Sequence, residues 1–176
     1  VNGGTLRMGI ANAIANTSGL NVVAGTFDLN GFSQTVGDLI GAGNITLGVA
    51  TLTFGTNNGI AQTFSGIISG AGGITKQGTG VAILSGNNTY MGPTVVNNGT
   101  LRMGILNAIA NTSGLNVAAG TFDLNGFNQT VNDLTGAGNI TLNGGTLTFG
   151  TNNVVTQTFS GVISGAGGIT KQGTGV

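Results

Sequence analysis

Along the whole chain, short runs of about four to seven residues alternate apolar and polar side chains, and each run closes on Gly or Asn. Alternation with period two, in runs rich in Thr, Val, Ile, Leu and Phe, predicts half-buried β-strands. A helical reading fails because Gly recurs throughout, at about 1 kcal/mol each relative to Ala in a helix interior. The segments GTLRM, GTFDL, ATLTF and GVAIL open their patterns at Thr5, Thr26, Thr51 and Val81, and the pattern resumes at Thr100. Alternation places Leu6 with Met8, Phe27 with Leu29, Leu52 with Phe54 and Ala82 with Leu84 on one face, which makes these the expected core columns. The opposite face carries Thr5, Thr26, Thr51 and Val81, and beside them Arg7, Asp28, Thr53 and Ile83.

Residues 1–81 realign on residues 96–176 at an offset of 95 without gaps, with 13 mismatches in 81 positions. Every charge obeys the offset: Arg7 with Arg102, Asp28 with Asp123, Asp38 with Asp133, Lys76 with Lys171. Residues 1–95 are therefore a first repeat and residues 96–176 a second, incomplete one. Both ends fall within a repeat, as a window on a longer array would. The inner pattern recurs at spacings of 21, 25, 30 and 19 residues, and each interval divides into three strand-like pieces separated by Gly and Asn. Three strands and three corners make one triangular coil. The expected fold is all-β, a right-handed parallel β-helix over residues 1–176, with about four coils and about 19 Å of rise per repeat at the interstrand spacing of about 4.8 Å. In that stack Arg7 lies under Asp28 and Arg102 under Asp123, close enough for surface ion pairs worth about 0–1 kcal/mol. Asn30, Asn57, Asn58, Asn87 and Asn88 fall at corners, where Asn tolerates left-handed backbone and stacked amides bond along the axis.

Composition narrows the function. Charged residues are 5% of the 176, and 36 residues are Gly, yet 39% are hydrophobic, so the chain can bury a core and disorder does not follow. One Pro and the lack of a three-residue Gly period exclude collagen. No aliphatic run approaches the roughly 18 residues of a membrane span. Four basic residues against four acidic ones leave no basic stripe for nucleic acid. The absence of Cys removes disulfides and thiolate chemistry.

Residues 70–104 read GAGGITKQGTGVAILSGNNTYMGPTVVNNGTLRMG. This stretch resembles the autotransporter-associated β-strand repeat, or passenger-associated transport repeat, through Lys76, Gly78, Thr79, Gly80, Leu84, Ser85, Gly86, Asn88, Thr89, Tyr90, Gly92, Thr94, Val95, Gly99, Thr100 and Leu101. Residues 165–176 open a second copy, and residues 1–9 finish an earlier one. The resemblance implies a parallel β-helix in a secreted bacterial passenger domain, at the cell surface or outside the cell, in a stalk or adhesin. It supplies no catalytic residues. Pro93 departs from the pattern and is expected at a corner, because Pro cannot donate to a ladder.

Candidate chemistry is sparse. Each repeat offers Asp28, Asp38, Arg7 and Lys76, with Asp28 and Asp38 in successive strands of one coil around a corner, a poor arrangement for the carboxylate pair of a glycosidase. The Ca²⁺-binding GGxGxD repeat is absent, and GAGG at 70–73 and GTG at 78–80 lack the GK[ST] of a phosphate loop. Phe27, Phe54, Phe64, Phe122, Phe149 and Phe159 recur at repeat spacing and are expected as stacked core rings. Tyr90 is expected to be structural, with exposure at a glycan site as the alternative. A Thr ladder for ordering water is interrupted, since only Thr51 and Thr53 give the full Thr-x-Thr. No catalytic, cofactor-binding or metal-binding residue is assigned, and no cofactor is expected. The expected function is mechanical and non-catalytic: a fibre, stalk or surface-adhesin region that builds or forms part of a filament. Its expected partners are further repeats or other copies met end to end. The alternative is an adhesin module for glycans or host surfaces, with specificity in loops such as residues 55–62 or in a tip domain outside this sequence.

Overall fold

The structure is a computed structural model and describes all residues except 60, 152–155 and 176. Residue 60 of the 55–62 loop, and residues 152–155 and 176 of the second repeat, lie outside the described residues. Among the described residues there is no helix, and every strand pair is parallel. The chain is a β-solenoid that visits three faces in turn. Face one holds Asn2–Arg7, Ala24–Asp28, Asn44–Thr46 and Ile68–Ser69. Face two holds six strands from Gln34–Val36 to Leu134–Gly136, and face three holds eight from Leu20–Val22 to Ile163–Ser164. A further sheet of Gln129–Thr130, Thr146–Phe149 and Gly168–Lys171 occupies the place of face one in the later coils, since each of its strands follows a strand of face three. About eight coils are stacked in all. Parallel strands joined through two other sheets take the right-handed crossover that strand twist imposes.

The coil is shorter than the sequence spacings suggest. Leu6 pairs with Phe27, Phe27 with Ile45 and Ile45 with Ile68, so face one advances by 21, 18 and 23 residues. Thr26 therefore stacks on Asn44, whereas Thr53 lies on face two between Thr35 and Thr75, and Thr51 immediately precedes that strand. Val81 lies on face three, where it stacks on Thr100 as expected. The single Thr5, Thr26, Thr51, Val81 column is thus corrected to three columns on three faces. The cause is local. QTVGDLIG and QTFSGIISG, each an alternating run that one strand-like piece would accommodate, fold as two strands with a corner at 37–38 and at 65–67. A 95-residue repeat accordingly holds fourteen strand positions, four full coils and two faces of a fifth. It rises about 22 Å at the interstrand spacing.

This count has a geometric consequence. Leu6 lies on face one and its copy Leu101 on face three; Leu52 lies on face two and its copy Leu147 on face one. Each repeat is carried two thirds of a turn around the axis relative to the one before it.

The inward phase follows the alternation. Phe27, Leu29, Leu52, Phe54, Phe64, Leu84, Leu101 and Phe122 are all buried. Leu6 is 47% exposed where Leu101 is fully buried, because no coil lies beneath Leu6. Phe149 and Phe159, in the last coils, are partly buried. The rings do not stack on one another as expected. Phe27 sits on Ile45, Phe54 between Val36 and Lys76, and Phe122 between Leu101 and Ile140, because their strands belong to different faces. Most mismatches between repeats fall on exposed positions, the pair Ala50 and Gly145 being buried in both copies. Where face three turns into face one, Gly43, Gly66 and Gly86 pile up. A Cβ on Gly66 would overlap the Gly43 carbonyl oxygen, and one on Gly86 that of Gly66. Pro93 immediately precedes the strand Thr94–Val96, at a corner as expected.

Candidate functional site

The polar residues of the repeat signature point inward. Ile74 and Lys76 alternate with an outward Thr75, and Lys76 is 1% exposed, packed between Phe54 and Val96. Its Nζ donates to the carbonyls of Gln77 at 2.5 Å, Gly78 at 3.0 Å and Asn98 at 3.5 Å, so the corner backbone substitutes for water. Desolvation lowers its pKa to about 8. Lys171 repeats the pattern towards Gln172 and Gly173 on the last, open coil.

Tyr90 is fully buried, and its hydroxyl lies 2.6 Å from Thr94 Oγ1, which lies 3.1 Å from Ser113 Oγ. Ser113 Oγ in turn donates to the Gly92 carbonyl at 2.7 Å. Burial pushes the Tyr90 phenol well above the ordinary tyrosine range, partly opposed by the Thr94 bond. Tyr90 is structural, with no surface to offer a glycan.

Between Ile68–Ser69 and Gln129–Thr130, face one has no regular strand, and buried amides carry its ladder. Asn88 Oδ1 accepts from Ile68 N at 2.7 Å, and its Nδ2 donates to Ala108 O at 2.6 Å. In the next coil Gln129 grips both polar groups of Ile109, accepting from its N at 3.2 Å and donating to its O at 3.0 Å. Gln34 does the same to Ile14 one repeat earlier, at 3.1 and 2.7 Å. A side-chain amide carries one acceptor and donors, the same pair a backbone peptide offers, so it can stand in for a missing strand. Sequence reasoning missed Gln34 and Gln129, whereas Asn88, expected at a corner with its amide bonding along the axis, makes that bond from a buried place on face one. The signal was present, since Gln129 shares the inward phase of Val131, and an inward amide must find partners.

On the exterior, Arg7 Nε meets Asp28 Oδ2 at 2.8 Å and Arg102 Nε meets Asp123 Oδ2 at 2.7 Å, the ion pairs expected. Above them lie Thr46 and Thr141, not the Thr53 and Thr148 of the sequence-derived column. Corner Asn residues do bond along the axis, to backbone or a carboxylate and not to one another: Asn30 Nδ2 donates to Met8 O, Asn58 Oδ1 accepts from Thr79 N and Asn57 Nδ2 donates to Asp38. Asp38 lies in the turn before Leu39–Gly41 on face three, where Oδ2 accepts from Asn57 at 2.8 Å, while Asp28 belongs to face one. The two carboxylates are not brought together. Among the described residues no three His, Cys, Asp or Glu gather as metal ligands.

Residues 74–103 match the family model described as the passenger-associated transport repeat. The interior Lys76, Asn88, Tyr90 and Thr94 all fall inside that span, so the signature encodes the stitching of one coil to the next. The chain is 40% identical over 126 residues to the adhesin BmaC autotransporter of Brucella suis biovar 1 (strain 1330), an alignment covering 68% of this chain and 4% of that protein. It is 28% identical over 187 aligned positions to the uncharacterized protein YuaQ of Escherichia coli (strain K12), covering 91% of this chain and 13% of that protein. The chain thus spans a small fraction of the length of either relative. No solved structure matches it. Signature, fold and relatives agree: residues 74–103 are a passenger-associated transport repeat, and the chain carrying them is of the autotransporter passenger kind, secreted and at the bacterial cell surface.

Proposed function

We propose that the chain is a non-catalytic shaft segment of a surface adhesin, one continuous rod over residues 1–176 that sets distance from the cell. One observation carries the reading. The signature side chains with reactive heads, Lys76 and Tyr90, are inside the rod with their polar atoms bonded to it. The Brucella relative is named an adhesin, which supports placing the shaft in a protein of that kind. Coil joins coil through a backbone ladder that serves equally for a longer chain or for a second copy stacked end to end, and continuation of the chain is the reading we favour for building length. The test is to delete one 95-residue repeat from the whole surface protein and image the cells by electron microscopy. A shortening of about 22 Å per repeat is expected, with display retained. Unchanged reach, or polysaccharide hydrolysis by the purified protein that Asp28→Asn or Asp38→Asn abolishes, would overturn the proposal.

A further inference from the structure

Most glycines of this rod are required by the backbone, through a left-handed φ or through a neighbouring carbonyl within 3 Å of where a Cβ would stand. Gly114 is required by neither. A Cβ there would meet only Asp133 Cβ at 3.7 Å and Oδ2 at 3.8 Å, ordinary contact distances, and its φ is not left-handed. Its copy Gly19 is the same, with Asp38 Cβ at 3.5 Å and Oδ2 at 3.7 Å. What the absence of a side chain at Gly114 does is open the surface. Pro93, Gly114 and Asp133 stack one residue ahead of three paired strands of face two, and Val95, Asn116 and Thr135 form the next outward column in register. Gly114 interrupts the first column, and these six residues together with Leu115 line an open groove of about 350 Å³.

We propose that this groove binds a neutral saccharide. The volume lies at the lower end of the range for small-ligand sites, about 300–1,000 Å³. Pro93 and Val95 supply apolar lining for the C–H face of a sugar ring. Around it stand a carboxylate, an amide and a hydroxyl, which together accept from and donate to neighbouring ring hydroxyls. Among the described residues the side chains of Asn116 and Thr135 have no hydrogen-bond partner in the protein, so both are available to a ligand. Asp133 is held in place by the Gln157 amide on Oδ1, as Asp38 is by Asn57, and a carboxylate has about four lone-pair directions to share. No Lys or Arg lines the groove to attract an anion, and a single carboxylate lacks the six or more oxygens that Ca²⁺ requires. Gly19, Asn21 and Asp38 recreate the glycine, amide and carboxylate on face three, with Ile40 in place of Thr135. This copy looks out from a different side of the rod, without the Pro93 and Val95 of the groove.

The inference goes beyond the shaft reading and is tested without it, on purified protein. The full 176-residue chain, labelled with ¹⁵N, is titrated with lactose, maltose and cellobiose, and with sialyllactose as the anionic counterpart. Millimolar binding of a neutral disaccharide is expected, with shifts confined to the groove residues Val95, Gly114, Asn116, Asp133 and Thr135. Gly114→Val should weaken it by about tenfold or more by filling the groove, and Gly114→Ala by less, both with unchanged circular dichroism and melting. Thr130→Val, on face one, should bind as the parent does. No shifts with any neutral sugar, tighter binding of sialyllactose than of lactose, or binding that survives Gly114→Val in a folded protein would each overturn the assignment.

Discussion

The amide clamp at Gln129 makes the sharpest demand on the structure. Gln129→Met keeps the length and inward path of the side chain but removes both bonds to Ile109 and the 2.6 Å bond to Thr130 O. Ile109 is fully buried, so water cannot replace the lost partner of its N–H or C=O. Two stranded backbone groups cost about 1–3 kcal/mol each, and burying a thioether in place of an amide returns about 1 kcal/mol. The net loss is about 1–5 kcal/mol. Gln34→Met removes the same bonds from Ile14, whose loop is largely exposed in this chain, so water takes over and the loss should stay near 1 kcal/mol or less. Urea unfolding followed by circular dichroism and by Tyr90 fluorescence measures both, and hydrogen exchange at the Ile109 amide reports the clamp locally. Because stacked coils can unfold in parts, agreement of the two optical probes is the check on a single transition. Equal costs at the two positions, or an unchanged Ile109 exchange rate in Gln129→Met, would refute the argument that the amide replaces a strand.

Three further outcomes follow from the interior. Lys76 has its pKa lowered from 10.5 to about 8, so between those values the unfolded chain holds the extra proton and stability rises with pH, and Lys76→Met should flatten that rise in pH-dependent denaturation. Tyr90 is shifted the other way. Above about pH 10 the unfolded chain loses the phenolic proton first and stability falls, so the tyrosinate absorbance of this sole Tyr should appear only together with loss of the β signal. Gly86→Ala should lower stability by about 1–3 kcal/mol in the same urea assay, since its methyl group meets the Gly66 carbonyl and one coil must move off the next.

Alternation alone was enough to read which side of each strand faces in, because a half-buried strand obeys a period of two wherever it lies on the rod. Met8, Leu29, Phe54 and Leu84 were legible for that reason, as were the Arg–Asp pairs, whose partners stand in adjacent coils of one face. Stacking order was not legible where two strands meet with little punctuation. At Gly37 and Asp38 the chain turns a corner within two residues, and nothing in QTVGDLIG separates that from a continuous strand. Interior polar groups were hidden for a different reason. Lys76 reads as a surface charge until its phase with Ile74 is taken seriously, and only the geometry shows three carbonyls waiting for its amine. The groove at Gly114 was masked by the abundance of Gly, since a glycine that leaves space and one that permits a turn look alike in sequence.

The rotation of each repeat by two thirds of a turn explains how a repeat of fourteen strands persists on a three-sided rod. Leu52 stands between Gln34 and Ile74 on face two, and Leu147 stands between Gln129 and Ile169 on face one. The neighbours have moved with the residue. Arg102 finds Asp123 on face three as Arg7 finds Asp28 on face one, and Asn107 accepts from Thr130 as Asn12 does from Thr35. Contacts depend on the separation of one coil, which the repeat preserves, and not on the direction a face points. A 95-residue unit therefore needs no multiple of three strands to stack, and its copies point their surfaces in turn to three sides, returning to the first after three repeats. A flat partner surface lying along the rod meets every third copy of any surface feature, whereas small ligands in solution meet them all.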